Sequence, residues 1–428
     1  MWACAPATCS RWRRANEPAL LCSRLAACAR RRRFAGTVGL PLGGRFEPGE
    51  LARAGGPAGK CPGGHAAAGA GRAASAGGNP GAAGRGKGGH GPARELLPRT
   101  VNGFVYLERT LPDGRVRRGL VGCVDLEAYA FAAGSRTPVR APSALAARQV
   151  LPRLERWEDA ALQSSHILLA ANMDEAALFA AAEGIQNRAP LYEGPLCYGG
   201  GSAAGWAVES ADRLGALAAL FDPAQKPAGA ALLAPVSGEE DLAAARAYWM
   251  MLREELSEAE RETHPARFCL AEVCSIRSAG LRLAPAHRLV MGVQGLPLLA
   301  AFRSWCAGQS VRLEESPVPG CSGRLDFVYG AWQRAVWPVG GRWPLAAAVL
   351  EAFLQEYLRA NPACFADRLA DEAELRELAA DGNTGVLLHE TNEDLFRGLA
   401  GADFLPLGLF APLEAREQRY ELECRYIR

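Results

Sequence analysis

Between Cys61 and Pro92 the chain is nearly all glycine, alanine, arginine, proline and serine. Such a stretch cannot bury enough apolar surface to offset the entropy lost on ordering it. It divides the sequence into two unlike parts. Residues 1–94 hold 15 of the 48 basic residues and only 3 of the 46 acidic ones, so a strongly basic piece precedes an acidic one and the formal net charge of +2 hides the split. Charge asymmetry of this size bears on organisation. The expectation is a disordered basic segment over 1–94 and an α/β region over 95–428.

Three readings of the basic piece stand open. Only Lys60, Lys87 and Lys226 are lysines among the 48 basic residues, which fits a GC-rich gene. Out-of-frame translation of such a gene yields mainly alanine, arginine, glycine and proline, so the piece reads first as a frame or start-site artefact. It is alternatively a basic arm for nucleic acid or anionic membrane, or an Arg-rich, acid-poor transit peptide. The run Arg30–Arg33 alone does not make a nucleic-acid binder, and nucleic acid is not the expected partner.

The acidic piece is long enough for one large or two ordinary domains, with a division placed near 225–295. It has no apolar run long enough to span a bilayer, so a membrane is not expected as a partner. Its eight cysteines, Cys123, Cys197, Cys269, Cys274, Cys306, Cys321, Cys364 and Cys424, form no C-x-x-C pair. They read as reduced core thiols of a cytoplasmic protein rather than as zinc ligands. The oligomeric state is left open.

Hydrophobic patterning places a hairpin over Val101–Leu107 and Arg117–Val124 around the turn Leu111–Gly114, then an irregular stretch over Arg136–Arg153. A buried strand follows at His166–Ala171, then a helix at Met173–Ala182 capped by Asn172. Leu191–Val208 reads as strand, glycine turn and strand. Helices are placed at Glu209–Leu220, Leu242–Leu256, Pro297–Trp305, Pro344–Ala360 and Glu372–Ala380. Strands are placed at Ala230–Val236, Ala266–Ile276, Leu281–Val293, Leu325–Tyr329, Asn383–Leu388 and Arg419–Ile427. This order gives α/β to α+β, with mixed sheets and packed helices.

Five separated segments fall in an order that resembles one bacterial family: Gly119–Tyr129, Ser135–Ala141, Glu258–Arg267, Pro285–Val290 and Glu421–Ile427. The family is domain of unknown function one-thousand-and-fifteen. The resemblance covers essentially everything after residue 95 and implies a ParB/sulfiredoxin-like core. Related proteins of that fold transfer phosphate from ATP or pyrophosphate to a small hydroxyl such as free serine. Their hallmark, Asp-Gly-(Asn/His)-His-(Ser/Arg), lies between a strand and a helix, and falls here on Ser237-Gly238-Glu239-Glu240-Asp241.

The substitution changes the physics of the motif. Free N–H groups at a helix N-terminus attract phosphate, whereas three carboxylates there compete for those donors and repel the anion. Each also complements the helix dipole, and Ser237 with Glu240 has the spacing of a capping box. The structural reading is therefore a well-capped helix. The sharper one is a carboxylate site holding Mg²⁺ with ATP or pyrophosphate. On that reading Glu240, Asp241 and His287 are the candidates for catalysis. Ser237, Gly238, Glu239, Arg140 and Arg288 are the candidates for holding the phosphate donor.

Other polar positions of the family are changed as well. Its Arg-Ala-Thr-Glu-Gly is here Arg140-Ala141-Pro142-Ser143-Ala144, a His after the glycine run is Ser202, and a His-Gly near the last helix is Ala370-Asp371. Arg140, His166, His264, Arg267, Glu272, His287 and Arg288 match the family's residue types. His287 with Arg288 reads either as a cationic pair for phosphate or carboxylate or as a structural pair. Gly199–Gly201 reads as a hairpin turn, since it lacks the Lys-Ser/Thr of a P-loop. No nucleophile elbow, no His-Glu-x-x-His and no dinucleotide fingerprint following a first strand is present. A chain that kept folding and lost its chemistry has this pattern. A small-molecule ligand and a nucleic-acid role for the basic arm remain the other expectations.

Overall fold

The computed structural model describes residues 38–39 and 100–427, except 133–134, 146, 165–166, 197–198, 319–322, 402–404, 406–408 and 413–421. Val38–Gly39 forms a short antiparallel ladder with Thr100–Val101. The disorder expected over the rest of 1–94 lies outside the described residues. So do His166, Cys197, Cys321 and the first three residues of the terminal strand placed at Arg419–Ile427, of which Arg425–Tyr426 forms a strand.

The expected hairpin opens the fold. β1 (Phe104–Thr110) and β2 (Val116–Asp125) pair antiparallel. The turn closes where the Leu111 N–H donates to the Arg115 carbonyl at 2.8 Å. Two short strands follow, β3 (Tyr129–Ala130) and β4 (Val139–Arg140).

The stretch over Arg136–Arg153, expected to be irregular for its prolines, holds all of β4 and the first half of helix α1 (Ala147–Asp159), with Pro152 inside the helix. Packing of α1 against the helix α4 described below outweighs the backbone donor that Pro152 lacks.

Next come β5 (Leu168–Ala171) and the short helix α2 (Glu175–Phe179), whose cap is Asp174 rather than Asn172. β6 (Tyr192–Pro195) and β7 (Ser202–Val208) flank the glycine turn. There Gly201 has φ +84° and any Cβ would run into the Thr110 carbonyl, so that glycine serves a close backbone approach. Helix α3 (Ala211–Leu220), β8 (Leu233–Ser237), α4 (Glu239–Leu252) and β9 (Phe268–Ser275) complete the first half.

These strands form one mixed sheet in the order β3-β4-β8-β5-β9-β2-β1-β7-β6. The pairs β3–β4, β4–β8 and β5–β9 are parallel and the others antiparallel.

The second sheet is wholly antiparallel. Its elements in chain order are β10 (His287–Met291), α5 (Gly295–Gly308), β11 (Val311–Glu314), β12 (Leu325–Tyr329), β13 (Trp332–Gly340) and α6 (Ala346–Ala360). β14 (Phe365–Leu369), α7 (Glu372–Ala380), β15 (Thr384–Leu388) and α8 (Asp394–Gly401) follow. The strand order is β11-β13-β12-β15-β10-β14. Mixed sheets with packed helices are the fold class that the element order implied.

One face of the first sheet packs Tyr129, Leu169 and Phe104 with Leu242 and Trp249 of α4. Its other face, through Leu168, Ala170, Ala234, Val236 and Cys274, joins the core of the second sheet around Leu298, Phe302, Phe327 and Phe353. Each large side chain buried in this way contributes about 1.5–3 kcal/mol.

With both faces covered, charge at the sheet centre must be paired. Arg117 on β2 and Glu272 on β9 are each 1 % exposed and meet at 3.1 Å. At the far end of the same ladder Arg267 donates twice to Asp125, at 2.7 and 3.0 Å. The chain terminus adds a clamp. Arg425–Tyr426 pairs with Leu162–Gln163, and the Arg425 guanidinium donates to the carbonyls of Phe268 and Pro265.

Glu272→Gln strands the Arg117 guanidinium in the interior and is expected to destabilise the protein by about 3 kcal/mol or more. The double substitution Arg117→Met with Glu272→Leu is expected to cost less than the single one. Urea unfolding of the three proteins measures the difference.

Candidate functional site

The sequence motif sits where a strand hands over to a helix. β8 ends at Ser237 and α4 starts at Glu239, three residues earlier than the apolar pattern indicated. Gly238 occupies the cap position with φ +71°, a left-handed conformation that glycine adopts without strain. The capping box expected of Ser237 and Glu240 does not form. That spacing needs the serine itself at the cap, and here it lies one residue too early. A true box forms instead at Ser257 and Glu260, the next helix start.

Glu239, Glu240 and Asp241 therefore all lie in the first turn of α4, where their charge complements the helix dipole. They do not act as one group. Arg153 of α1 lies 3.4 Å from Asp241 and 3.7 Å from Glu240. Glu239 turns inward instead, its Oε2 accepting from the Ser143 hydroxyl at 3.4 Å while Oε1 is buried without a partner. Burial pushes the Glu239 carboxyl up to about 8; the Ser143 hydrogen bonds oppose the rise and the charge of Glu240 adds to it.

A divalent cation needs several oxygen ligands converging on one point. Among the described residues no group of three or more His, Cys, Asp or Glu is placed to hold a metal ion. With one carboxyl turned into the protein and two facing an arginine, the first turn of α4 does not fit the Mg²⁺ that ATP or pyrophosphate chemistry implies.

The remaining candidates are not gathered at this helix end. Arg140 is buried and donates to the backbone carbonyls of Thr137, Leu399 and Gly229, tying β4 to α8. His287 and Arg288 lie on β10 in the second sheet. As successive residues on a strand they face opposite ways, so they do not act as one cationic pair. The Leu388 N–H donates to His287 Nδ1 at 3.1 Å, and burial pulls the imidazole down. Arg288 pairs with Glu351 of α6 at 2.9 Å. The other polar residues that match the family also hold the framework. Besides Arg267 and Glu272, described above, His264 accepts from the Ala266 N–H at 3.1 Å and caps a single helical turn.

Sequence reasoning missed Arg153, Ser143 and Tyr129 as neighbours of the motif. Arg153 falls in the stretch expected to be irregular, and only its placement on α1 brings it to α4. Tyr129 is wholly buried on β3, and its hydroxyl, like Glu239 Oε1, lacks a partner.

The model of a family described as protein of unknown function (DUF1015) matches residues 93–307. This chain belongs to that family. The matched span holds the whole nine-stranded sheet, the α4 site, and β10 with α5. No curated protein matches the chain.

Solved structures similar to it include a conserved hypothetical protein from Pyrococcus furiosus, 7 % identical, covering 68 % of this chain and 89 % of its own, with a TM-score of 0.32. A free serine kinase variant in complex with AMP is 9 % identical and covers 65 % and 81 %, with a TM-score of 0.33. A C-terminally truncated SbnI from Staphylococcus aureus is 9 % identical and covers 68 % and 81 %, with a TM-score of 0.31. Likenesses this distant carry no chemistry over to this chain. Among the described residues no helix is long and apolar enough to cross a membrane.

The raised carboxyl of Glu239 gives a signed expectation. The folded protein holds a proton there between the ordinary glutamate range and about pH 8 that the unfolded chain releases. Stability therefore falls as pH rises through that window and levels off above it. Glu239→Gln is expected to flatten this slope and to raise the urea midpoint relative to the parent above pH 8; an unchanged slope in the variant contradicts the assignment.

Proposed function

We propose that this chain keeps the fold of its family while its phosphotransfer chemistry is lost or much reduced, leaving a protein that binds a small molecule. One observation carries the reading. The polar residues it shares with the family, where described, are spent on the framework, in the pairs Arg117–Glu272, Asp125–Arg267 and Arg288–Glu351 and in the backbone contacts of Arg140, His264 and His287. The residues that differ from the family include those at the helix end, where a transferred phosphate needs donors and finds carboxyl groups instead.

A second reading, an active small-molecule phosphotransferase, has one specific observation in its favour. Ser143 stands where the family has a glutamate, and the Glu239 carboxyl hydrogen-bonds to Ser143. A carboxyl group is thus retained in that place, supplied from α4 instead of from the loop after β4.

The deciding experiment incubates the full chain with Mg²⁺, serine or a related hydroxyl compound, and either ATP or pyrophosphate, and measures phosphorylated product. Product at the level of a no-enzyme control is expected. Robust turnover that Glu240→Gln abolishes overturns the first reading, and turnover that Glu239→Gln abolishes selects the second.

A further inference from the structure

Two polar atoms beside the α4 N-terminus are buried without hydrogen-bond partners, the hydroxyl of Tyr129 and Oε1 of Glu239. Tyr129 is 0 % exposed and lies on β3, against which α4 packs. Glu239 opens α4 and Tyr129 lies on the strand packed against that helix, and after burial the charge of Glu239 is the largest influence opposing ionisation of the phenol. The two groups do not bond to each other. Buried polar atoms in folded proteins are almost always satisfied by protein, water or a bound group, and two orphans on facing elements mark a place for a third party.

We propose that Tyr129 and Glu239, whose hydroxyl and Oε1 are buried without partners, together hold one oxygen of a small oxyanion, a carboxylate or a phosphate, at the N-terminus of α4. The proposal rests on the reading of this chain as a binding protein and names the ligand chemistry of the same site. A phenol and an un-ionised carboxylic acid converging on one oxygen hold negative charge well in a water-poor setting.

The carboxyl of Glu239, raised to about 8 by burial, is protonated at neutral pH and so donates rather than repels. Its neighbours are Ser143 from the loop after β4, Tyr129 from β3 and Glu240 from its own helix. Glu240 and Asp241 share Arg153 of α1, which offsets part of their charge. Arg246 and Cys269 face Tyr129 from α4 and β9. The first-turn N–H groups of the 14-residue helix α4 lie at the same end of the helix as Glu239.

The test titrates the full chain, with EDTA present, with inorganic phosphate and separately with acetate, by calorimetry at about pH 6 and about pH 9.5, either side of the raised carboxyl. Saturable binding of one or both anions at the lower pH is expected, and which anion binds names the source. Binding is expected to weaken about 10-fold or more at the higher pH and in Tyr129→Phe and Glu239→Ala. Glu239→Gln keeps a donor that does not titrate, so it is expected to bind at both pH values without that loss.

The proposal fails if neither anion saturates at millimolar concentration, if Tyr129→Phe binds as tightly as the parent, or if Glu239→Gln shows the full loss at high pH. Should Tyr129→Phe not fold, the glutamine variant alone decides. Phosphotransfer measured on the same protein preparation without EDTA, with Mg²⁺ and ATP or pyrophosphate, is a separate readout: turnover together with anion binding overturns the loss of catalysis and leaves the donor pair standing.

Discussion

A sheet covered on both faces leaves no water for charge at its centre. The ion pair between Arg117 and Glu272 answers that constraint, and much of the first half of the molecule is arranged around it. β2 and β9 are adjacent and buried along nearly their whole length. Glu272 comes so close to Gly119 that any side chain there would collide with its carboxylate. The second pair, Asp125 with Arg267, sits where β2 ends and β9 is about to begin, so a charge pair marks each end of the ladder. Buried pairs of this kind add little net stability but are costly to break one partner at a time. They therefore fix register and neighbour choice more than they add free energy.

The same logic separates framework from chemistry in the polar residues of this chain. An arginine that donates to three backbone carbonyls, as Arg140 does, cannot also reach for a phosphate with those donors. A histidine whose Nδ1 accepts from the Leu388 N–H, and whose charged form burial disfavours, is a poor anion ligand. Selection on folding alone preserves such residues. At the N-terminus of α4 folding asks only for a residue that tolerates the left-handed turn and for side chains compatible with the dipole. Gly238 and the three acidic residues meet both needs, so folding does not require residues suited to phosphate there.

Much of the element order was legible because apolar periodicity is local. β12 and α7 fall where the pattern put them, and the hairpin turn at Leu111–Gly114 follows from its residue types. Errors cluster where a distant contact overrides local preference. α1 tolerates Pro152 because α4 packs on it, and α4 begins at Glu239 because Gly238 turns the chain immediately after β8. The strands β11 and β14 lie at the edges of the second sheet and carry exposed positions, so their patterns are weak.

Sequence by itself determined that a basic, low-complexity stretch precedes an α/β region, that this region carries the motifs of one family, and that the family's strand-to-helix motif is altered at Ser237–Asp241. The first is a property of composition and the other two rest on resemblance to that family, and all three survive without coordinates. Only the tertiary structure decided that Glu239 turns inward to Ser143 while its two neighbours turn to Arg153, and that the strand carrying a buried tyrosine packs against the same helix. Those outcomes depend on which elements lie beside the end of α4, and α1, β3 and the loop after β4 reach it only through packing between segments about 90 to 110 residues apart, a separation that no local pattern encodes.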